Sequence, residues 1–101
     1  MKSKIFVFSS SRVIEIFTDD EKNLFRRNGK EYNFETFAFN IKLKNIIKDW
    51  PDKLVDNSVM DATSYEIKLK DGDEMYKKVG AGKLPANFGL FMDLISRGFG
   101  D

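Results

Sequence analysis

Phe34-Glu35-Thr36-Phe37-Ala38-Phe39-Asn40-Ile41-Lys42-Leu43-Lys44-Asn45-Ile46-Ile47-Lys48-Asp49-Trp50-Pro51 is the stretch whose reading decides the fold. With a period of two, Phe37, Phe39, Ile41 and Leu43 share one side, as in a strand. With a helical period, Phe39, Leu43, Ile46, Ile47 and Trp50 form one stripe. The helical reading leaves Phe34, Phe37 and Ile41 opposite that stripe, so such a helix is covered on two faces or starts late. Pro51 ends it, because the residue before a proline avoids the helical region. We read a helix over about 35–49, with the strand as the competing reading over 37–43.

Upstream of this stretch the signals are those of strands. Ile5 to Phe8 is β-branched and aromatic. Ser9-Ser10-Ser11 breaks it. Val13 to Thr18 then alternates, with Val13, Glu15 and Phe17 on one face and Ile14 and Ile16 on the other. Asp19 to Asn23 is a charged turn. Leu24 to Arg27 and Lys30 to Phe34 flank Asn28-Gly29, a pair that tolerates positive φ at both central positions of a type I′ hairpin.

Downstream, Asp52 to Thr63 is a polar connection anchored by Leu54, Val55, Val59 and Met60. Tyr65, Ile67 and Leu69 alternate with Glu66, Lys68 and Lys70, the pattern of a half-buried strand. Asp71-Gly72-Asp73 turns the chain, and Glu74 to Val79 returns it as a hairpin partner. Gly80-Ala81-Gly82-Lys83 reads as a loop. Pro85 suits the first turn of a helix, where its missing N–H is not needed. Phe88, Phe91, Met92 and Ile95 then repeat at helical spacing. Gly98 closes that helix, and 98–101 reads as a loose tail.

The expected architecture is therefore α+β. It is an antiparallel sheet of about five to six strands in hairpins, with two helices, about 35–49 and 86–96, on one face. A chain of 101 residues with 42% hydrophobic content fits a single domain, 1–101, with one core. Trp50, closing a helix on a proline, reads as a plug in that core.

Trp50-Pro51, Asp56, Ser58, Asp61, Ser64-Tyr65, Gly80 or Gly82, and Pro85-Ala86-Asn87-Phe88 together resemble a loose group of small, uncharacterised bacterial domains. These share a helix ending near Trp-Pro, an Asp-rich segment, a strand hairpin, a Gly-containing loop and a final Pro-x-Asn-Phe helix. The resemblance covers roughly Phe34 to Ser96. It implies the fold above and a helix before Trp50. It implies no activity.

Composition narrows the chemistry. The chain has no His and no Cys, so nucleophile pairs built on imidazole or thiol are excluded and zinc and copper lose their usual ligands. No cofactor is expected. Seventeen basic residues against 16 acidic give a net charge of +1, which supplies no global pull toward nucleic acid or membrane. The run Ile5-Phe6-Val7-Phe8 is too short for a signal h-region, and no segment approaches the ~20 apolar residues of a membrane span. A cytoplasmic protein, monomeric or weakly dimeric and without a membrane partner, is the expectation.

Three local features bear on chemistry. Gly80-Ala81-Gly82-Lys83 fails the Walker pattern, since Lys77 stands where the first Gly belongs and Leu84 where Ser or Thr belongs. Asp49, Asp52, Asp56 and Asp61 include oxygen ligands for a hard cation, with Asp56 and Asp61 the metal candidates, but Asp and Ser in such a segment more commonly bond the local backbone. Arg26, Arg27 and Lys30 flank the Asn28-Gly29 turn beside Tyr32, and these four are the candidates for partner binding. The plainer reading of that tip is a solvated hairpin whose charges discourage edge pairing. The leading expectation is a non-catalytic protein-interaction module or small inhibitor of the immunity or anti-defence kind, from a bacterium or phage, with another protein as partner. Nucleic-acid binding through the basic tip is the alternative, and an enzyme using a carboxylate-bound metal comes third.

Overall fold

A computed structural model describes residues 1–58 and 63–97. The strands are β1 (Lys2–Phe8), β2 (Val13–Asp19), β3 (Leu24–Arg27), β4 (Lys30–Tyr32), β5 (Lys53–Val55), β6 (Ser64–Asp71) and β7 (Glu74–Ala81). The helices are α1 (Thr36–Ile47) and α2 (Phe88–Ser96), and a short 3-10 turn occupies Asp20–Lys22.

The strands form one seven-stranded sheet in the order β4-β3-β2-β1-β6-β7-β5. The fold is thus α+β with two helices, but the sheet is larger than expected and mixed. The added strand, β5, lies inside what the sequence presents as a polar connection, and it runs parallel to β7 with Leu54 opposite Gly80. A three-residue strand with only Leu54 half-buried carries no periodic signal. The remaining differences are at boundaries. β1 begins at Lys2, because Ser3 is buried and bonded, and β7 runs on through Gly80-Ala81. β4 stops at Tyr32. Pro85 lies before α2, whose N-cap is Asn87 in the left-handed region at φ 65°. Val59, Met60, Asp61, Gly98 and the tail 98–101 fall outside the described residues.

Antiparallel register builds the core. Ile5 of central strand β1 stands opposite Ile16 on β2 and Ile67 on β6, while Val7 stands opposite Ile14 and Tyr65. All six are buried. The helical reading of the decisive stretch holds: Phe39, Leu43 and Ile47 of α1 are buried, as is Trp50 just beyond it. Neither Phe37 nor Ile41 is covered, so α1 buries one stripe and presents its other side to solvent. From α2 come Phe88, Phe91 and Ile95. Trp50 has Tyr65 and Phe91 edge-on, with ring centroids at 5.6 Å each, and Phe88 stacked at 6.0 Å. At the other end of the sheet Phe25 meets Phe39 edge-to-face at 4.9 Å.

Polar side chains on the same inner face lock the helices to the sheet. Ser3 Oγ donates to Asn40 Oδ1 at 2.9 Å, and Asn40 Nδ2 donates to Thr18 Oγ1 at 2.9 Å and to Asp20 Oδ1 at 2.7 Å. Asp20 also holds the Met1 ammonium at 3.1 Å. On β7, buried Lys78 points inward and donates to the Trp50 carbonyl at 2.7 Å and to Asp52 at 2.9 Å, fixing the bend at Trp50-Pro51. Gly80 lets the Tyr65 ring lie across the backbone, since a Cβ there would meet that ring.

Three outcomes follow from this packing. Trp50→Ala is expected to cost about 3–5 kcal/mol in denaturant unfolding, the range for deleting a large buried aromatic; unchanged stability would contradict its burial. The Tyr65 hydroxyl is buried without a hydrogen-bond partner, and burial pushes the phenol's pKa up. Tyr65→Phe should therefore leave stability unchanged or raise it, and a clear loss would reveal a bond to that hydroxyl. Asp71 and Lys44 meet at 2.8 Å, which lowers the carboxyl's pKa and raises the ammonium's, the hydrogen bond between them being the main cause for both. The carboxyl's share of stability is present above the ordinary Asp range and vanishes as pH falls through its lowered value. The ammonium's share is present below the ordinary Lys range and vanishes as pH rises through its raised value. Unfolding midpoints across pH should lose less on the acid side in Asp71→Asn than in the parent; parallel curves would remove the linkage.

Candidate functional site

The same alternation that fills the inner face leaves the other face of the sheet open. On β1 the outward residues are Lys2, Lys4, Phe6 and Phe8; on β2 they include Val13, Glu15 and Phe17; on β6 they include Glu66, Lys68 and Lys70. Phe8 is 50% exposed, Val13 43% and Phe6 41%; Phe6 lies inside β1, while Phe8 ends β1 and Val13 begins β2. Phe8 and Val13 stand directly opposite each other, and Phe6 is the next outward residue along β1. A shallow depression of about 350 Å³ lies beside them, lined by Lys4, Phe6, Glu15, Phe17, Glu66 and Lys68.

Charge on this face is arranged in rows across the strands. Lys4 on β1 is opposite Lys68 on β6, and Lys68 is opposite Lys77 on β7. One step along, Lys2 is opposite Lys70. Neighbouring strands are about 4.7–4.9 Å apart, and like charges directly opposite one another destabilise a sheet. Compensation is thin. Lys68 reaches Glu66 at 3.5 Å and Lys2 reaches Asp19 at 3.9 Å. Among the described residues no carboxylate lies within ion-pair distance of Lys4, Lys70 or Lys77, and Lys4 leans toward the Phe17 ring at 6.0 Å. In the neighbouring row Phe6 has Glu15 on one side and Glu66 on the other.

The tip residues singled out from sequence are separated by the hairpin's register. Asn28 (φ 50°) and Gly29 (φ 81°) form the turn, and Asn28 is tied back to β2 by its backbone N–H donating to the Glu15 carbonyl and by its side chain accepting from the Glu15 N–H, both at 2.8 Å. Arg26 points outward and pairs with Glu31 at 3.0 Å. Arg27 points inward, is buried, and donates through Nε to the Ile95 carbonyl at 3.1 Å, so it serves the C-terminal end of α2 rather than the tip. Burial lowers its pKa. Lys30 sits over the Tyr32 ring at 5.3 Å. These four residues do not converge on one cationic surface.

Two carboxylates of the Asp-rich segment, Asp56 and Asp52, have side-chain partners. Asp56 accepts from both the N–H and the hydroxyl of Ser58, which holds its carboxyl below the usual range. Asp52 serves Lys78. Asp61 lies outside the described residues, and among the described residues no three carboxylates gather as a metal site would need. Gly82 has φ +84°, and a Cβ there would run into the Asp56 backbone carbonyl, so this glycine is required by the close approach of two chain segments. No helix among the described residues is long and apolar enough to cross a membrane.

No known protein family matches the chain, and neither does any curated protein or solved structure.

The lysine row carries its own test. Lys77→Glu converts a like-charge neighbour of Lys68 into an opposite one, so it should stabilise the fold by roughly 0.2–1 kcal/mol at low salt. The gain should shrink as salt screens the exposed pair. Destabilisation would mean that the lysines already have partners.

Proposed function

We propose that this protein is a non-catalytic protein-interaction module of the small-inhibitor kind, immunity or anti-defence in type, and that it docks its partner on the open face of the sheet. The observation that supports this most is the contiguous apolar corner made by Phe6, Phe8 and Val13 on two central strands. Phe6 lies inside β1, which is paired on both sides, and Phe8 and Val13 flank the 9–12 loop at the end of the β1–β2 hairpin, so Phe6 is held with little conformational freedom left to lose when covered. Exposed aromatic clusters of this sort are where interfaces place their anchors.

The nucleic-acid reading at the hairpin tip receives less support, because Arg26 is paired with Glu31 and Arg27 is turned into the core. The metal-enzyme reading rests on Asp56 and Asp61: Asp56 Oδ1 already accepts two bonds from Ser58, and Asp61 lies outside the described residues. A protein partner in the cytoplasm accords with the residue inventory and with the apolar corner.

Affinity capture from the native host with the wild-type chain should return one dominant protein, and Phe6→Ser/Phe8→Ser should lose it while retaining a cooperative melt. Recovery of chaperones alone by the wild type, or an unchanged yield with the folded double variant, would overturn the assignment to this face.

A further inference from the structure

We infer that the partner's docking segment is acidic, with apolar side chains set into the Phe6–Phe8–Val13 corner and carboxylates over the lysine row. This rests on the docking reading above and adds the partner's chemistry. Lys4, Lys68 and Lys77 follow one another on three adjacent strands, with Lys2 and Lys70 paired in the next row. Such a row costs the free protein stability, and an anion laid across it recovers that cost while gaining attraction. An acidic segment fits the lysine row better than a second copy of this chain, because two copies packed face to face about that row would oppose lysine to lysine.

The choice of a polypeptide over a nucleic acid comes from the neighbouring row. Phe6, the most central exposed ring, has Glu15 and Glu66 directly opposite it on both sides. A phosphate backbone carries a charge at every step and would meet those carboxylates wherever a base stacked on Phe6. A polypeptide can place a neutral or basic group over Phe6 and acidic groups over the lysines. Val13, beside Phe8, is an aliphatic surface suited to burying a side chain rather than stacking a base.

The probe is a random glutamate–tyrosine copolymer, followed by fluorescence anisotropy, with polyglutamate, a lysine–tyrosine copolymer and oligo(dT) of matched length as comparators. The expected result is salt-sensitive binding of the glutamate–tyrosine copolymer, tighter than polyglutamate and much tighter than the lysine–tyrosine copolymer or oligo(dT). Lys4→Glu/Lys68→Glu/Lys77→Glu should weaken it by about tenfold or more at low salt, in line with like-charge juxtaposition across an interface. Phe6→Ser alone should bring the copolymer down to the polyglutamate level. Melting curves establish that both variants are folded. Oligo(dT) binding as tightly as the copolymer would assign the face to nucleic acid and overturn the inference, and so would copolymer binding that ignores the triple lysine change. If the copolymer fails to bind while a neutral or basic host protein is captured through Phe6 and Phe8, the acidic class falls and the docking reading stands.

Discussion

Strand β1 is hydrogen-bonded on both sides, to β2 and to β6, and its register settles what most of the sheet faces. Side chains along a strand alternate with a period of two, so a slip of one residue would exchange the two faces completely. In the observed register Ser3, Ile5 and Val7 go to the helices, and Lys2, Lys4, Phe6 and Phe8 go to the open side. A slip would bury lysines and expose isoleucine. Phe6 and Phe8 would then replace Ile5 and Val7 inside, so the apolar terms largely offset, and the cost of burying Lys2 and Lys4 and of breaking the Ser3–Asn40 bond makes the register unique.

From that constraint the helix layer follows. Ser3 fixes where Asn40 must sit, and Asn40 in turn bonds Thr18 and Asp20, so α1 is placed by hydrogen bonds as well as by Phe39, Leu43 and Ile47. A buried amide with no partner would be costly, so this small network selects one position for the helix along the sheet. At the far end Lys78 performs a similar task with the Trp50 carbonyl, and Arg27 with that of Ile95. Cations thus point inward where helix ends or chain bends offer carbonyl oxygens, and outward elsewhere.

Much of this was legible in the sequence. Val13, Glu15 and Phe17 opposite Ile14 and Ile16, the Asn28-Gly29 turn, the Tyr65–Ile67–Leu69 alternation and the Phe88–Phe91–Ile95 stripe are period arguments, and the sheet and helices realise them. The stretch 34–51 was ambiguous because Phe37 and Ile41, apolar and exposed, mimic a strand face. β5 was missed because three residues pairing in parallel with a distant strand leave no local trace. The open face was hidden for the same reason. Lys4, Lys68 and Lys77 are ordinary outward lysines until the order β1-β6-β7 sets them side by side. The tip residues were grouped by proximity in sequence, and the hairpin register then sent Arg26 and Arg27 to opposite faces.

Solvent paramagnetic relaxation of side-chain protons along β1, measured by NMR with a neutral soluble probe, tests the partition of faces most directly. Strong attenuation at Lys4, Phe6 and Phe8 with protection at Ile5 and Val7 is the expected result. Equal protection of both sets, with Phe6 and Phe8 as shielded as Ile5, would mean that the face is already covered and would contradict the account.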